Sequence, residues 1–360
     1  MKTIRIGVMG CGPRGMQMAR ITKLIPESFT LTCMSDLDET RLAEAQSAFP
    51  EIKLFRSSDE LLDSGLADAV ITEIPPSVHT EYVAKALDRD IHVLGEIPAV
   101  HTIEEGEFLW DKVNSAKALY MAGSNPNYRE KTRFLHKLNR EGRIGKIAYI
   151  ETEYMHTMIN SRDWRKEYES CRYCTHSLGP VLSLIGSEFK TVCCMSTLDR
   201  LGNGNTHNAM SALLRTDDNI VVRLLVAFGV PYFGPAHTTR IFCEKGVLEL
   251  YNEKARYWLP ENTDLSLSGH KYEETPLTPV GTARPADLKI IDEDLFLKAH
   301  CGHNGSDIFM MKDFADAIVN HKPSPIGIRE ALKMTLPGIY AAESAREGGA
   351  LKTIRYPWSK

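Results

Sequence analysis

The sequence predicts an α/β chain in two parts: a doubly wound parallel sheet, followed by an α+β domain with an open, mainly antiparallel sheet. Three observations carry this. Short apolar runs alternate with helically spaced segments through residue 123, and a glycine-rich turn joins the first run to the first helix. Beyond Gly123–Arg129 (GSNPNYR) the apolar runs lengthen and follow one another with little helix between them. The expected domains are therefore residues 1–123 and 124–360.

Residues 3–9 (TIRIGVM) form a short β-type run that ends in Gly10-Cys11-Gly12-Pro13-Arg14-Gly15, and MQMARITKLI then has helical spacing. A second run, FTLTCMSD, ends at Asp36 and leads into the helical ETRLAEAQSAF. ADAVITEIPP and IHVLGEIP read as further strands separated by the helix SVHTEYVAKALDRD. Strand, helix, strand in series means right-handed crossovers and parallel pairing.

In the second half, a helix (REKTRFLHKLNREG) precedes the longer strands IAYIETEYMH, NAMSALLR, NIVVRLLVAF and TTRIFCE. Turn residues at Asp217-Asp218-Asn219 and Lys245-Gly246 predict two hairpins. Residues 260–300, rich in Pro, Thr, Gly and charge, suggest a long surface excursion that ends near a second-domain pocket. Helical spacing returns in DIFMMKDFADAIVNH, whose stripe Phe309, Met310, Phe314, Ile318 reads as core. It returns again in REALKMTLPGIYAAESAREGG, where Pro337 is expected to kink or interrupt the helix.

At 360 residues, 43% hydrophobic and a formal net charge of -4, the chain has ample material for two cores and no electrostatic footprint for nucleic acid or an anionic membrane. No stretch has the unbroken apolar length of a membrane span, and the start, MKTIRIGVMGCGPRG, lacks the apolar region of an export signal. A cytoplasmic location is the expectation. Eight cysteines (11, 33, 171, 174, 193, 194, 243, 301) are then expected to be reduced thiols.

A lone G-x-G-x-x-G is weak evidence, but here Gly10, Gly12 and Gly15 lie between a predicted strand and a predicted helix. Asp36 lies 21 positions beyond Gly15, at the end of the next strand. This is a Rossmann arrangement. Gly10 permits the tight turn, Gly12 the close approach of backbone to a pyrophosphate, and Gly15 the packing of helix on strand, with Pro13 and Arg14 in the same turn. Asp36 would accept from ribose hydroxyls and repel a 2′-phosphate, so the expected cofactor is NAD. Pro75, His79, Glu96 and Asn125 lie at or just past later strand ends, where the crevice of such a sheet opens, and join the expected cofactor site. Tyr128 stands beside Asn125 and is a candidate for substrate contact.

Cys171-Arg172-Tyr173-Cys174-Thr175-His176 poses two chemistries: a C-x-x-C pair with His suggests a metal, while Tyr173 and His176, one helical turn apart, suggest proton transfer. A zinc site needs a fourth ligand, and Cys193-Cys194 on a strand point to opposite faces.

Together, GVMGCGPRG, IPPSVH, GEIPAV and the switch to an antiparallel sheet resemble the Gfo/Idh/MocA oxidoreductase family over nearly the whole chain. The family hallmark is E-K-P at a Rossmann strand end; here it is Glu96-Ile97-Pro98. The family lysine assists proton transfer at the nicotinamide, and Ile97 cannot hold a proton. A Glu-aliphatic-Pro version resembles the NAD-dependent glycosidases of glycoside hydrolase family 109. Tyr154-Met155-His156 (Y-x-H), Tyr173-Cys174-Thr175-His176 (Y-x-x-H) before LGP, and His303-Asn304-Gly305-Ser306-Asp307, a variant of H-G-G-x-D, fit that group.

The resemblance implies hydrolysis of small glycosides by transient oxidation at carbon 3, elimination, water addition and re-reduction, with NAD recycled. It assigns Tyr173 and His176 to proton transfers at carbons 2 and 3, and Tyr154 and His156 to the leaving group and substrate. Glu96 would anchor substrate or cofactor, and His303 and Asp307 would bind substrate. Asp307 would equally serve as a helix cap. Two other readings stay open: an NAD-linked sugar or cyclitol dehydrogenase in which the Tyr/His pair replaces the lysine, and a non-catalytic NAD-binding sensor. The resemblance also implies a homo-oligomer, dimer or tetramer, formed through an apolar outer face of the second sheet.

Overall fold

The computed structural model describes residues 3–157, 168–204, 206–231, 237–251, 254–258, 272–276, 303 and 305–359. In chain order the first elements are β1 (Ile4–Met9), α1 (Pro13–Leu24), β2 (Phe29–Ser35), α2 (Glu39–Ala48), β3 (Lys53–Phe55), α3 (Ser58–Asp63), β4 (Ala69–Thr72), α4 (Pro76–Asp88), β5 (His92–Gly95), α5 (Ile103–Ser115) and β6 (Tyr120–Ala122). Then come α6 (Glu130–Arg140), β7 (Ile147–Met155), α7 (Thr175–Ile185), β8 (Phe189–Ser196), β9 (Ala209–Thr216), β10 (Val221–Ala227), β11 (His237–Cys243), β12 (Gly246–Tyr251), β13 (Lys254–Trp258) and β14 (Tyr272–Pro276). The chain closes with α8 (Ser306–Val319), α9 (Ile328–Arg346) and β15 (Lys352–Thr353).

Two compact units result. The first joins Met1–Arg129 to Pro279–Leu332; the second joins Glu130–Thr278 to Lys333–Lys360. A single division at 123/124 therefore does not describe the chain, and the reason is α8: its Ile308, Met310, Met311, Phe314 and Ala315 belong to the same buried cluster as β1, α1 and β2. Phe314 stacks on Phe29 with ring centroids 6.4 Å apart. Of the stripe read as core in the sequence, Met310 and Phe314 are core of the first unit, Ile318 packs half-buried against it, and Phe309 is half-buried outside that cluster.

The first unit holds a six-stranded parallel sheet in the order β3-β2-β1-β4-β5-β6. The order reverses between β1 and β4, the switch point at which such sheets bind ligands beyond their carboxyl ends. Local signals start its helices. Asp38 accepts from Thr40 and Arg41 N–H at the start of α2, and Thr102 and Glu105 form a capping box at α5.

The second unit is built on a nine-stranded sheet in the order β14-β13-β12-β11-β7-β10-β9-β8-β15. All its pairs are antiparallel except β7 with β10. Both predicted hairpins, β9–β10 and β11–β12, are present. The outer face of the central strands is charged, where an apolar face was expected. Arg223 on β10, Glu151 on β7, Arg240 on β11 and Glu249 on β12 are cross-strand neighbours joined by ion pairs of 2.7–3.3 Å. Alternation along each strand sends these side chains opposite the buried Ile150, Thr152, Val222 and Leu224. Pro337 does not interrupt α9, which runs from Ile328 to Arg346. Burial of Leu332, Leu336 and Ile339 on either side of it outweighs a helix-interior proline's cost of about 3 kcal/mol. Of the 260–300 stretch only the backbone of β14 is among the described residues.

Candidate active site

In the first unit, the glycine turn is fixed by contact. Gly10 has φ 99°, and a side chain on it would meet the Glu73 carbonyl at 2.3 Å; a Cβ on Gly15 would lie 1.9 Å from the Gly10 carbonyl oxygen. Gly12 is the N-cap of α1, Pro13 follows it, no side chain caps the helix, and no acidic residue occupies its first turn. The helix start is thus left with unclaimed N–H donors and a positive dipole end, which suits a pyrophosphate. Asp36 is held ready beside it: Oδ2 accepts from Cys11 N–H at 2.8 Å and Oδ1 from Asp38 N–H at 2.9 Å. Its remaining lone pairs can meet ribose hydroxyls. These residues fit the dinucleotide that the sequence expects.

Arg14 ties together three residues that the sequence had proposed separately. Its guanidinium pairs with Asp307 through two bonds, Nη1–Oδ2 at 2.6 Å and Nη2–Oδ1 at 2.9 Å, and Nε donates to Glu96 Oε1 at 3.0 Å. His303, at φ 53°, places Nδ1 3.1 Å from Asp307 Oδ2. The Asp307 side chain is fully buried. Burial alone would raise its carboxyl, but the charge and hydrogen bonds of Arg14 and His303 outweigh it and hold the group down at about 2. Asp307 is therefore the counter-ion of Arg14 and not an open substrate contact. It is not a cap either, because the N-cap of α8 is Gly305, with no side-chain cap bond. The sequence reading missed Glu73. It follows β4, its N–H donates to Met9 O at the end of β1, and its Oε1 lies 3.7 Å from Arg14 Nε.

The other proposed cofactor residues occupy different depths. His79 is 2% exposed, with Nε2 2.8 Å from the Thr72 hydroxyl, which also accepts from Glu96 N–H at 3.3 Å. Thr72 thus links the His79 ring to the backbone N–H of Glu96. Burial lowers the His79 pKa to about 4. Pro75 is exposed at the N-cap of α4. Asn125 opens a 3-10 turn after β6, buried, with its Oδ1 lacking any hydrogen-bond partner among the described residues. Tyr128 packs against the first unit's core, and its hydroxyl bonds to Asp313.

In the second unit the structure brings the Tyr/His candidates together as a cluster of near-parallel rings. Tyr173 ends a 3-10 turn (Ser170–Tyr173), His176 lies in the first turn of α7, and Tyr154 stands near the end of β7. His176 lies nearly parallel to Tyr173, at 4.7 Å, and to Tyr154, at 4.9 Å, and those two rings are themselves 6.1 Å apart. His237 lies parallel to Tyr154, at 4.4 Å and 4°, and 6.1 Å from His176. Phe228 sets its edge against Tyr154 and Tyr173, and His156 meets Tyr154 edge-on at 6.2 Å. Sequence reasoning missed His237. It is the register partner of Tyr154 across β7 and β11, a pairing between strands far apart in the chain that leaves no local signal.

The cysteines of the CRYCTH stretch pack this turn. Cys174 Sγ donates to Met334 O at 3.3 Å, and Cys171 Sγ lies 3.8 Å from Cys194 Sγ. Gly338 on α9 lets the turn approach, since a Cβ there would meet Cys171 O at 2.4 Å and Cys174 Sγ at 2.6 Å. Burial raises the Cys174 thiol to about 12, and hydrogen bonding to Cys194 with burial raises Cys171 further from ionisation. Among the described residues, no three His, Cys, Asp or Glu side chains gather as a metal site.

Two family models match the chain: the oxidoreductase family's NAD-binding Rossmann fold over residues 4–124, and the GFO/IDH/MocA C-terminal domain over residues 132–249. The chain belongs to the Gfo/Idh/MocA oxidoreductase family. NAD is its cofactor. Among Gfo/Idh/MocA relatives, it is 23% identical to a Tannerella forsythia protein named alpha-N-acetylgalactosaminidase, over 97% of this chain and 85% of that one. An uncharacterised oxidoreductase of Schizosaccharomyces pombe is 27% identical, over 46% of each chain. The fold is that of levoglucosan dehydrogenase solved with NADH and levoglucosan, with a TM-score of 0.83, 16% identity, and coverage of 98% of this chain and 100% of that one. No helix among the described residues is long and apolar enough to cross a membrane.

Proposed function

We propose that this Gfo/Idh/MocA protein is an NAD-dependent glycoside hydrolase acting on small glycosides by transient oxidation at carbon 3. The observation that carries the reading is the cluster of Tyr173, His176 and Tyr154, three proton-bearing rings with centroids 4.7–6.1 Å from one another, in a chain whose Glu96-Ile97-Pro98 lacks a proton-bearing middle residue. The full-length similarity to a protein named alpha-N-acetylgalactosaminidase supports it. Bound NAD supplies a hydride acceptor that later returns the hydride.

The residues of the chain do the rest. With carbon 3 oxidised, the hydrogen on carbon 2 is acidic enough for a modest base. Tyr173 and His176 move the protons at carbons 2 and 3. The π faces of Tyr154 and Tyr173 attract the His176 ring when it holds a proton. Tyr154 and His156 serve the departing aglycone and hold the sugar. The aglycone leaves by elimination, water adds across the double bond, and re-reduction makes the net change hydrolysis. Assembly as a homo-oligomer accompanies this reading.

The test is incubation with aryl glycosides of N-acetylgalactosamine, galactose and glucose in both anomeric forms, in deuterated buffer, recording phenol and NADH. Phenol release without NADH accumulation, with deuterium at carbon 2 of the freed sugar, is expected. Tyr173→Phe and His176→Asn should each lower kcat by roughly 10²–10⁴-fold while NAD binding persists. Release without deuterium uptake would overturn the elimination route. A second reading, an NAD-linked dehydrogenase of a sugar or cyclitol, is favoured by the names of proteins sharing the fold, levoglucosan dehydrogenase and scyllo-inositol dehydrogenase. Stoichiometric NADH would establish it.

A further inference from the structure

Three carboxyl groups surround one guanidinium in the first unit. Asp307, bonded twice to Arg14, neutralises that charge by itself. Glu73 and Glu96 are then in excess. They are the first residues after β4 and β5, neighbouring strands whose carboxyl ends line the crevice in which doubly wound sheets hold their ligands. Both carboxyls reach the same nitrogen: Arg14 Nε lies 3.0 Å from Glu96 Oε1 and 3.7 Å from Glu73 Oε1. Two carboxylates this close, with their one cation already balanced by Asp307, do not both ionise without a further positive charge, so the pair holds a proton. The Glu73 side chain is 5% exposed, and its Oε1 has no hydrogen-bond partner among the described residues. Burial, then the charge of Glu96, raises its pKa well above the usual carboxylate range.

The groups facing this pair come from every element around it. Arg14 and Gln17 come from α1; Asp307, with His303 behind it, from α8; and Thr72 of β4 links Glu96 to His79 of α4. His79 is too depressed by burial to carry charge at neutral pH. The only fixed cation in this set is Arg14, and Asp307 already balances it.

We propose that Glu73 and Glu96 form a one-proton carboxyl pair whose proton answers the charge of the bound cofactor: released when oxidised NAD occupies the crevice, and regained when the cofactor is reduced. The nicotinamide ring carries a positive charge in NAD+ and none in NADH. A second negative charge on the pair is therefore favoured with the first and disfavoured with the second. When a hydroxyl is oxidised, its carbon gives a hydride to the cofactor and its oxygen gives up a proton. The pair takes up one proton as the ring loses its charge, so protons and electrons balance without the family lysine, whose place Ile97 fills. The inference rests on the cofactor site alone and stands whether the net reaction is hydrolysis or oxidation.

Calorimetric titration of the full chain with NAD+ and with NADH, in buffers of different ionisation enthalpy from pH 5.5 to 9, counts the protons exchanged on binding. NAD+ should release on the order of one proton more than NADH. The ratio of NAD+ to NADH affinity should climb with pH by up to about tenfold per unit across the titration of the pair. In Glu73→Gln both effects should vanish while both cofactors still bind. Equal proton counts for the two cofactors in the unaltered chain at every pH would overturn the proposal, whether or not the variant folds. So would an undiminished difference in Glu73→Gln.

Discussion

Replacing His79 by glutamine should flatten the acid limb of the first unit's stability. The ring is buried, and burial lowers its pKa from 6.5 to about 4, although Glu96 and the Ala99 backbone pull the other way. The folded pKa lies below the unfolded one. Between pH 6.5 and 4 the unfolded chain therefore binds a proton that the folded chain refuses, and stability falls as the pH falls through that window. Above 6.5 the group has no effect on the pH dependence; below 4 its effect is complete. A shift of 6.5 − 4 = 2.5 units amounts to about 3 kcal/mol, or roughly 6–12 °C in the melting temperature of a domain of this size. Glu73 works in the opposite sense, because its raised carboxyl makes stability fall as pH rises, and His92 adds to the slope of His79. The comparison is accordingly a difference. Urea and thermal unfolding of the unaltered chain and of His79→Gln, at half-unit steps from pH 7.5 to 4, should show the unaltered chain losing about 3 kcal/mol relative to the variant on acidification, enough to reverse their order. At pH 7.5 the variant should be weaker by about 1 kcal/mol for the disturbed bond to Thr72. A gap that stays constant to within about 0.5 kcal/mol over the whole range would refute the burial argument.

Gly15→Ala should cut NAD affinity by roughly tenfold or more, because the added carbon meets a carbonyl oxygen that cannot yield without moving the turn; fluorescence titration with NADH reads it. Gly338→Ala should cost roughly 1–3 kcal/mol and displace the turn that carries Tyr173 and His176, visible as altered tyrosine fluorescence and near-ultraviolet dichroism. Unchanged spectra and melting would show that the close approach is not needed. Phe314→Ala, in a fully buried site, should cost about 3–5 kcal/mol and lower the calorimetric transition of the first unit. A shift confined to the other transition would contradict the assignment of α8. His237→Ala should leave NAD binding intact and slow glycoside turnover by loosening Tyr154, and unchanged kcat would remove His237 from the site.

Local patterns were enough for the first part of the chain. Alternating strand and helix periodicity, three glycines at fixed spacing and Asp36 at the next strand end depend on residues close in sequence, and together they specified the parallel sheet and its cofactor. The two hairpins of the second sheet were legible for the same reason. Three-residue strands such as β3 and β6 were too short to show a period.

What required the tertiary structure has in common that it joins distant positions. Arg14 meets Asp307 across 293 residues, so the return of α8 to the first unit, and the counter-ion role of Asp307, have no signature near either residue. His237 reaches Tyr154 only because β11 lies beside β7, and Glu73 becomes chemically significant only once Glu96 joins it at Arg14. The charged ladder on the outer face of the second sheet likewise depends on register between strands. The sequence by itself determined which segments fold locally and which cofactor they hold. Only the packed chain decided which acids, rings and thiols meet, because burial and charge pairing are properties of neighbours in space.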